Sequence, residues 1–176
     1  MANNCFFDMK ITGKKENVEE LIQMLKWKGE FVNSGLGRVY SCDEVERYDY
    51  GNNIISTLVC GDCAWSVLTA MCAWGRFDTP SLESETKRLN LIVEVYSTET
   101  GCAFQEHFLI KKGIVEINDC VDYEEHWIAD YENIEEYNEE WETNFTADMV
   151  DENGNICIGG FENYGDFEDF SNEFLN

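Results

Sequence analysis

No lysine or arginine follows Lys112 in this chain. From Glu116 to Asn176 there are 20 aspartates and glutamates and no base, while residues 1–115 hold the other 16 acids and all 12 bases. The formal charge therefore divides as −4 and −20 within a total of −24. An excess of that sign argues against anionic membranes and against direct nucleic-acid binding, both of which call for basic patches. Other shortages narrow the reading further. Pro80 is the only proline, and no Pro/Gly/Ser-rich linker divides the chain. No apolar run approaches the roughly 18–20 residues that span a bilayer. The start of the chain lacks the charged-then-apolar pattern of a secretory leader, so a cytoplasmic location is expected. Histidine is limited to His107 and His126, which stand far apart with no nucleophile signature around them. Neither GxGxxG nor GxxxxGK[ST] occurs, so the common phosphate-cradling loops are missing.

What is present is apolar material. Hydrophobic residues make up 44% of the 176 and aromatics 14%, far more than a disordered acidic chain carries. The acidic third itself contains Trp127, Tyr131, Tyr137, Trp141, Phe145 and, later, Phe161, Tyr164, Phe167, Phe170 and Phe174. It is expected to fold or dock rather than to hang free.

Eight cysteines are scattered along the chain, with Cys60-Gly-Asp-Cys63 the one close pair. A chain with ample core and no leader reads as holding free thiols in a reducing compartment. The CxxC pair leaves a redox or zinc alternative, but zinc wants a second Cys/His pair at similar spacing and none is found. Asp151-Glu-Asn-Gly154 has the flavour of a calcium loop. Aligning Gly154 with the sixth position of such a loop puts Met149 first and Gly160 twelfth, where carboxylate ligands belong. A plain Asn153-Gly154 turn is the better reading. His107 is expected as a half-exposed strand residue and His126 as a surface histidine among acids. No cofactor, no metal and no catalysis are expected.

Periodicity orders the elements. Residues 5–12 alternate as an opening strand, and Val18, Leu21, Ile22 and Leu25 recur at helical spacing. Residues 29–53 read as loop with a short strand at most. Strands are expected at 54–60 and 64–74, the second being confusable with a short helix. Thr79-Pro80, with Glu83 completing a capping box, opens a helix running to Leu89. Strands follow at 91–97, 103–111 and 114–118, with Lys112-Gly113 as a tight turn. Strands and helices in this order form an α+β body.

Beyond Asp122 the pattern changes. Trp127, Tyr131, Ile134, Trp141 and Phe145 form one helical stripe, and glutamates fill the remaining faces. A helix over 123–145 is expected, followed by a hairpin at 150–157. Trp127, Tyr131, Ile134 and Trp141 would dock this extension onto the body.

Met1-Ala-Asn-Asn-Cys5, Met9-Lys-Ile-Thr-Gly13 and Val18-x-x-Leu-Ile-x-x-Leu25 resemble the opening of the YubB/Api92-like family of phage and mobile-element proteins. Ala73-Trp-Gly, Pro80-Ser-Leu-Glu, Leu91-Ile-Val-Glu-Val-Tyr96 and Gly101-Cys-Ala-Phe104 are similar to later segments of that family. Its Trp-Gly-x-Lys-Trp motif stands here only as Cys60-Gly-Asp-Cys-Ala-Trp65, and its paired prolines are reduced to Pro80. The resemblance spans about residues 1–118. It implies a ferredoxin-like sheet with two helices over 1–118 and a mobile-element origin; the residues beyond it, 119–176, are expected from their own pattern as an acidic helix–hairpin extension packed on that core. It implies no chemistry.

Charge then gives the functional expectation. Duplex DNA carries a negative charge about every 1.7 Å, so twenty carboxylates match roughly 34 Å of duplex. Glu132, Glu135, Glu136, Glu139, Glu140 and Glu142, joined by Asp148, Asp151 and Glu152, would imitate nucleic acid. They would block a basic host nucleic-acid-binding protein, an anti-CRISPR role being the first expectation and an anti-restriction role the next. The alternative is a small-molecule-binding or regulatory module whose acids serve solubility.

Overall fold

The computed structural model describes residues 3–26, 36, 38–72, 80–128, 131 and 133–175. In chain order, the elements begin with strand Asn4–Lys14 (β1), helix Lys15–Leu25 (α1), strands Val39–Gly51 (β2) and Ile54–Ala64 (β3), and helix Val67–Met71 (α2). Helix Leu82–Leu89 (α3) leads into strands Ile92–Glu99 (β4), Phe104–Lys111 (β5) and Ile114–Trp127 (β6). Helix Ile134–Trp141 (α4), strand Asn155–Gly159 (β7) and helix Asn172–Leu175 (α5) complete it.

The strands form a single curled antiparallel sheet in the order β2-β3-β1-β4-β5-β6-β7. This corrects the expected ferredoxin-like sheet with two helices and a helix–hairpin extension packed on it. Residue 118, the expected boundary, lies inside β6, which pairs with β5 along one half and with β7 along the other. The acidic third is thus threaded into the sheet.

Alternation decides which side chains go inward. On β1, Cys5, Phe7, Met9 and Ile11 are buried on one face, together with Val59 and Cys63 of β3, Val93 and Val95 of β4, and Phe108 and Ile110 of β5. Val18, Leu21, Ile22 and Leu25 of α1 close over them, as do Leu82 and Leu89 of α3. At Gly61 a Cβ would run into the Ser41 carbonyl and the Phe7 ring, so glycine there lets β2 and the core approach. Two-residue turns at Asn52-Asn53 and Lys112-Gly113 have positive φ at both positions, the geometry that suits a tight hairpin.

Several local expectations are corrected. β2 occupies much of the region read as loop. It is a sheet edge, largely exposed and interrupted by three register shifts, so it shows no apolar period. In place of the strand expected at 64–74, Val67–Met71 form α2, capped by Ser66, whose side chain accepts from Thr69 N, and residues 73 and 74 lie outside the described residues. Helix α3 begins later than expected. Its cap is Ser81 in a reciprocal box with Ser84, not Thr79 with Glu83, and Thr79 lies outside the described residues.

The opposite sheet face is covered by residues 161–175, which cross it as a strap. Phe170 is buried against Ile92 and Leu109, with Ile117 and Phe174 beside it. Phe161, Tyr164 and Phe167 gather their rings around Tyr96. A third cluster, Ile128, Tyr137 and Ile156, seats α4 on the far end of β6 and β7.

Candidate functional site

Helix α4 is shorter than the expected 123–145 span. Residues 123–127 are strand because they pair with 155–159, and Glu132 lies outside the described residues. The helix starts at Asn133, whose side chain accepts from Glu136 N at 2.9 Å. It turns out at Glu142, which sits in the left-handed region at φ 52°. The expected hairpin at 150–157 is likewise corrected. A turn at Asp151–Gly154, closed by Asp151 N donating to Asn155 O at 2.8 Å, leads into β7, whose strand ladder is with β6.

The expected docking contacts are replaced as well. Trp127 and Trp141 are more than half exposed, at 57% and 58%. Tyr131 and Ile134 are partly buried against the local cluster rather than the main core. The residue that seats the helix is Tyr137, buried and bonded through its hydroxyl to His126 Nδ1 at 2.8 Å. Burial raises the Tyr137 pKa. Asn138 locks the chain beyond the helix: its Oδ1 accepts from Phe145 N and Thr143 Oγ1, and its Nδ2 donates to Phe145 O. Both residues lie on the inner side of the stripe, where sequence alone could not separate anchors from bystanders.

Of the nine expected partner-binding acids, Glu135, Glu136, Glu139, Glu140, Glu142, Asp148, Asp151 and Glu152 are all exposed. They are not equivalent. Asp151 Oδ1 accepts from Asn153 N and Asn155 N, so this carboxylate shapes the turn. Asp148 is held below the usual carboxylate range, first by a hydrogen bond from Thr146. Among the described residues, Arg47 pairs with Glu19 and Glu44, Arg88 with Glu20 and Glu85, and Lys111 with Glu116 and Glu173. None of those acids belongs to α4.

The sheet face beneath the strap holds a different arrangement. Glu94 is buried; its Oε1 lies 3.0 Å from His107 Nε2, and its Oε2 accepts from Glu168 N at 2.9 Å. The His107 ring stacks on Tyr96 at a centroid distance of 4.1 Å. Lys10 Nζ donates to the Glu168 carbonyl at 2.8 Å. Two grooves flank the strap. One of about 660 Å³ runs along Tyr48, Tyr50, Leu58 and Phe167. The other, of about 460 Å³, lies over His107 and Phe161. His107 is therefore not the half-exposed strand residue expected, but a partner of a buried carboxylate. His126 is likewise mostly covered, with its Nδ1 engaged by Tyr137.

Cys60 and Cys63 do not converge. An odd spacing on a strand sends side chains to opposite faces: Cys63 enters the main core, while Cys60 is only partly buried and is not part of it. The Cys63 thiol pKa is raised by its hydrogen bond with Cys5 and by burial. Among the described residues, no group of three or more His, Cys, Asp or Glu is placed to hold a metal ion. No helix among them is long and apolar enough to cross a membrane. No protein-family model, curated protein or solved structure matches the chain.

Proposed function

We propose that this chain is a non-enzymatic binding protein that presses an acidic surface into the basic groove of a nucleic-acid-binding protein, in place of nucleic acid. A CRISPR effector is the first target class and a restriction nuclease the next, which accords with a mobile-element origin. The observation that carries the reading is α4: Glu135, Glu136, Glu139 and Glu140 stand exposed within eight residues, on a helix anchored from below by Tyr137. Carboxylates on a seated helix keep a set spacing, as phosphates do on a duplex, whereas a loose acidic tail would not. Opposite charge on the two surfaces speeds encounter and fixes register more than it adds affinity.

The test is displacement of labelled duplex DNA from a panel of purified CRISPR effectors and restriction endonucleases. The wild type should displace DNA from at least one member, and less well as salt rises. A Glu135/Glu136/Glu139/Glu140→Lys variant should lose that displacement by at least about tenfold, since four reversals each remove an attraction and add a repulsion. Equal displacement by both proteins would remove α4 from the mechanism. A second reading draws on the two grooves beside the strap, which would suit a small-molecule-binding module. A ligand that raises the melting temperature of wild type and charge-reversed protein alike would favour it.

A further inference from the structure

Trp141 is exposed on α4 yet held in place. Its Nε1 donates to the Tyr131 hydroxyl at 2.8 Å, and its ring lies nearly parallel to Tyr137, 24° apart in plane. An indole pinned at its edge and more than half open to solvent loses little freedom when something covers it. Glu140 and Glu142 flank it in sequence and are also exposed. From this immobilised, exposed ring on an acid-bearing helix we infer that Trp141 makes the acidic surface selective for arginine over lysine, the guanidinium stacking on the indole while the acids of α4 supply an attraction common to both cations. The inference rests on the reading of α4 as the partner-binding face, and names the side chain that face would take.

Three observations support arginine as the occupant. The guanidinium is planar, weakly hydrated and able to stack and pair at once, whereas an ammonium is a strongly hydrated point charge. The chain already shows the contact on an exposed indole, with the Arg38 guanidinium 4.5 Å from the ring centre of Trp65. A second copy of the chain is a poor occupant, because each copy carries a formal charge of −24. The partner surface that fits is thus an arginine-rich one.

The experiment uses the full chain with oligo-arginine and oligo-lysine peptides of equal length, titrated at low ionic strength and read by calorimetry. Wild type should bind the arginine peptide at least about threefold more tightly, the range of one exposed cation–π contact. Trp141→Leu, which keeps apolar bulk over Tyr137, should bind both peptides equally, and Trp141→Phe should restore part of the preference. Equal binding of the two peptides by wild type overturns the inference, as does a preference that survives in Trp141→Leu. A concentration-dependent dimer that buries Trp141, seen by sedimentation and fluorescence, also overturns it. The two readings fail separately. If Glu135/Glu139/Glu140→Gln weakens both peptides while wild type shows no preference, the acidic face stands and arginine selectivity falls. If neither peptide binds wild type, the acidic face falls too.

Discussion

A chain ended after Gly160 should unfold at a urea concentration less than half that of the full protein, or remain as a collapsed state that binds apolar dyes. The strap it lacks contributes Phe170, buried on Ile92 and Leu109, and the three rings around Tyr96. It also supplies the Glu168 amide to buried Glu94 and the Glu168 carbonyl to Lys10. Each large apolar side chain returned to water costs about 2–3 kcal/mol. Several of them amount to much of the roughly 5–15 kcal/mol that holds a domain together. Phe170→Ala in the full chain is the finer probe and should cost about 3 kcal/mol. An unchanged urea midpoint in the truncated protein would mean that the strap is a passenger.

Glu106→Ala should be nearly as damaging, about 3 kcal/mol by chemical denaturation, although it touches none of the acidic surface. The Glu106 side chain is buried, accepting from Val67 N at 2.7 Å and Ser97 Oγ at 2.8 Å, with Leu68 N further away. Alanine leaves those donors without acceptors and opens a cavity, two penalties that add. Glutamine keeps an acceptor there and should stay within about 1 kcal/mol of wild type at neutral pH. Burial raises the Glu106 pKa above the ordinary 4.5, with the hydrogen bonds from Ser97, Val67 and Leu68 opposing it. A carboxyl with a raised folded-state pKa adds stability that is complete below the unfolded value and lost as pH climbs through the folded one. Relative to wild type, Glu106→Gln should therefore gain as pH rises from about 4.5 toward neutral. A difference that is flat across that range would show that Glu106 titrates normally.

The elements legible in the sequence were those with one wet face and one dry face. β1 and α1 show period two and period 3.6 because each meets the core on one side only. β2 was missed because an edge strand, exposed along most of its length, leaves no apolar trace. The 123–145 stretch misled for a different reason. Its aromatics do recur at helical spacing, but Trp127 belongs to a strand whose pairing partner, β7, lies 28 residues further on, with Asn155 opposite Trp127. Local spacing carries no information about such a partner. The acids of the candidate surface were legible as exposed residues, since a carboxylate is costly to take out of water. Their platform was not, because Tyr137 and Asn138 act through contacts with His126 and Phe145. Nor did strap and sheet announce each other: Glu94 and His107 become a pair only once β4 and β5 are aligned.

The strand order has an electrical consequence. On the β2 edge Arg47 stands among Asp43, Glu44, Glu46 and Asp49, and β1 carries Lys10 and Lys14 with Asp8, whereas β6, β7 and α4, at the other end of the sheet, carry nine acids and no lysine or arginine. The molecule is thus a permanent dipole as well as an anion, with its axis running across the strands. In the field of a basic partner it would rotate before it touched, turning the α4 end forward and the β2 edge away. Neutralising Lys14, on a strand remote from α4 in the sheet order, would then change how often a collision with a basic partner is correctly oriented more than it changes the lifetime of the complex.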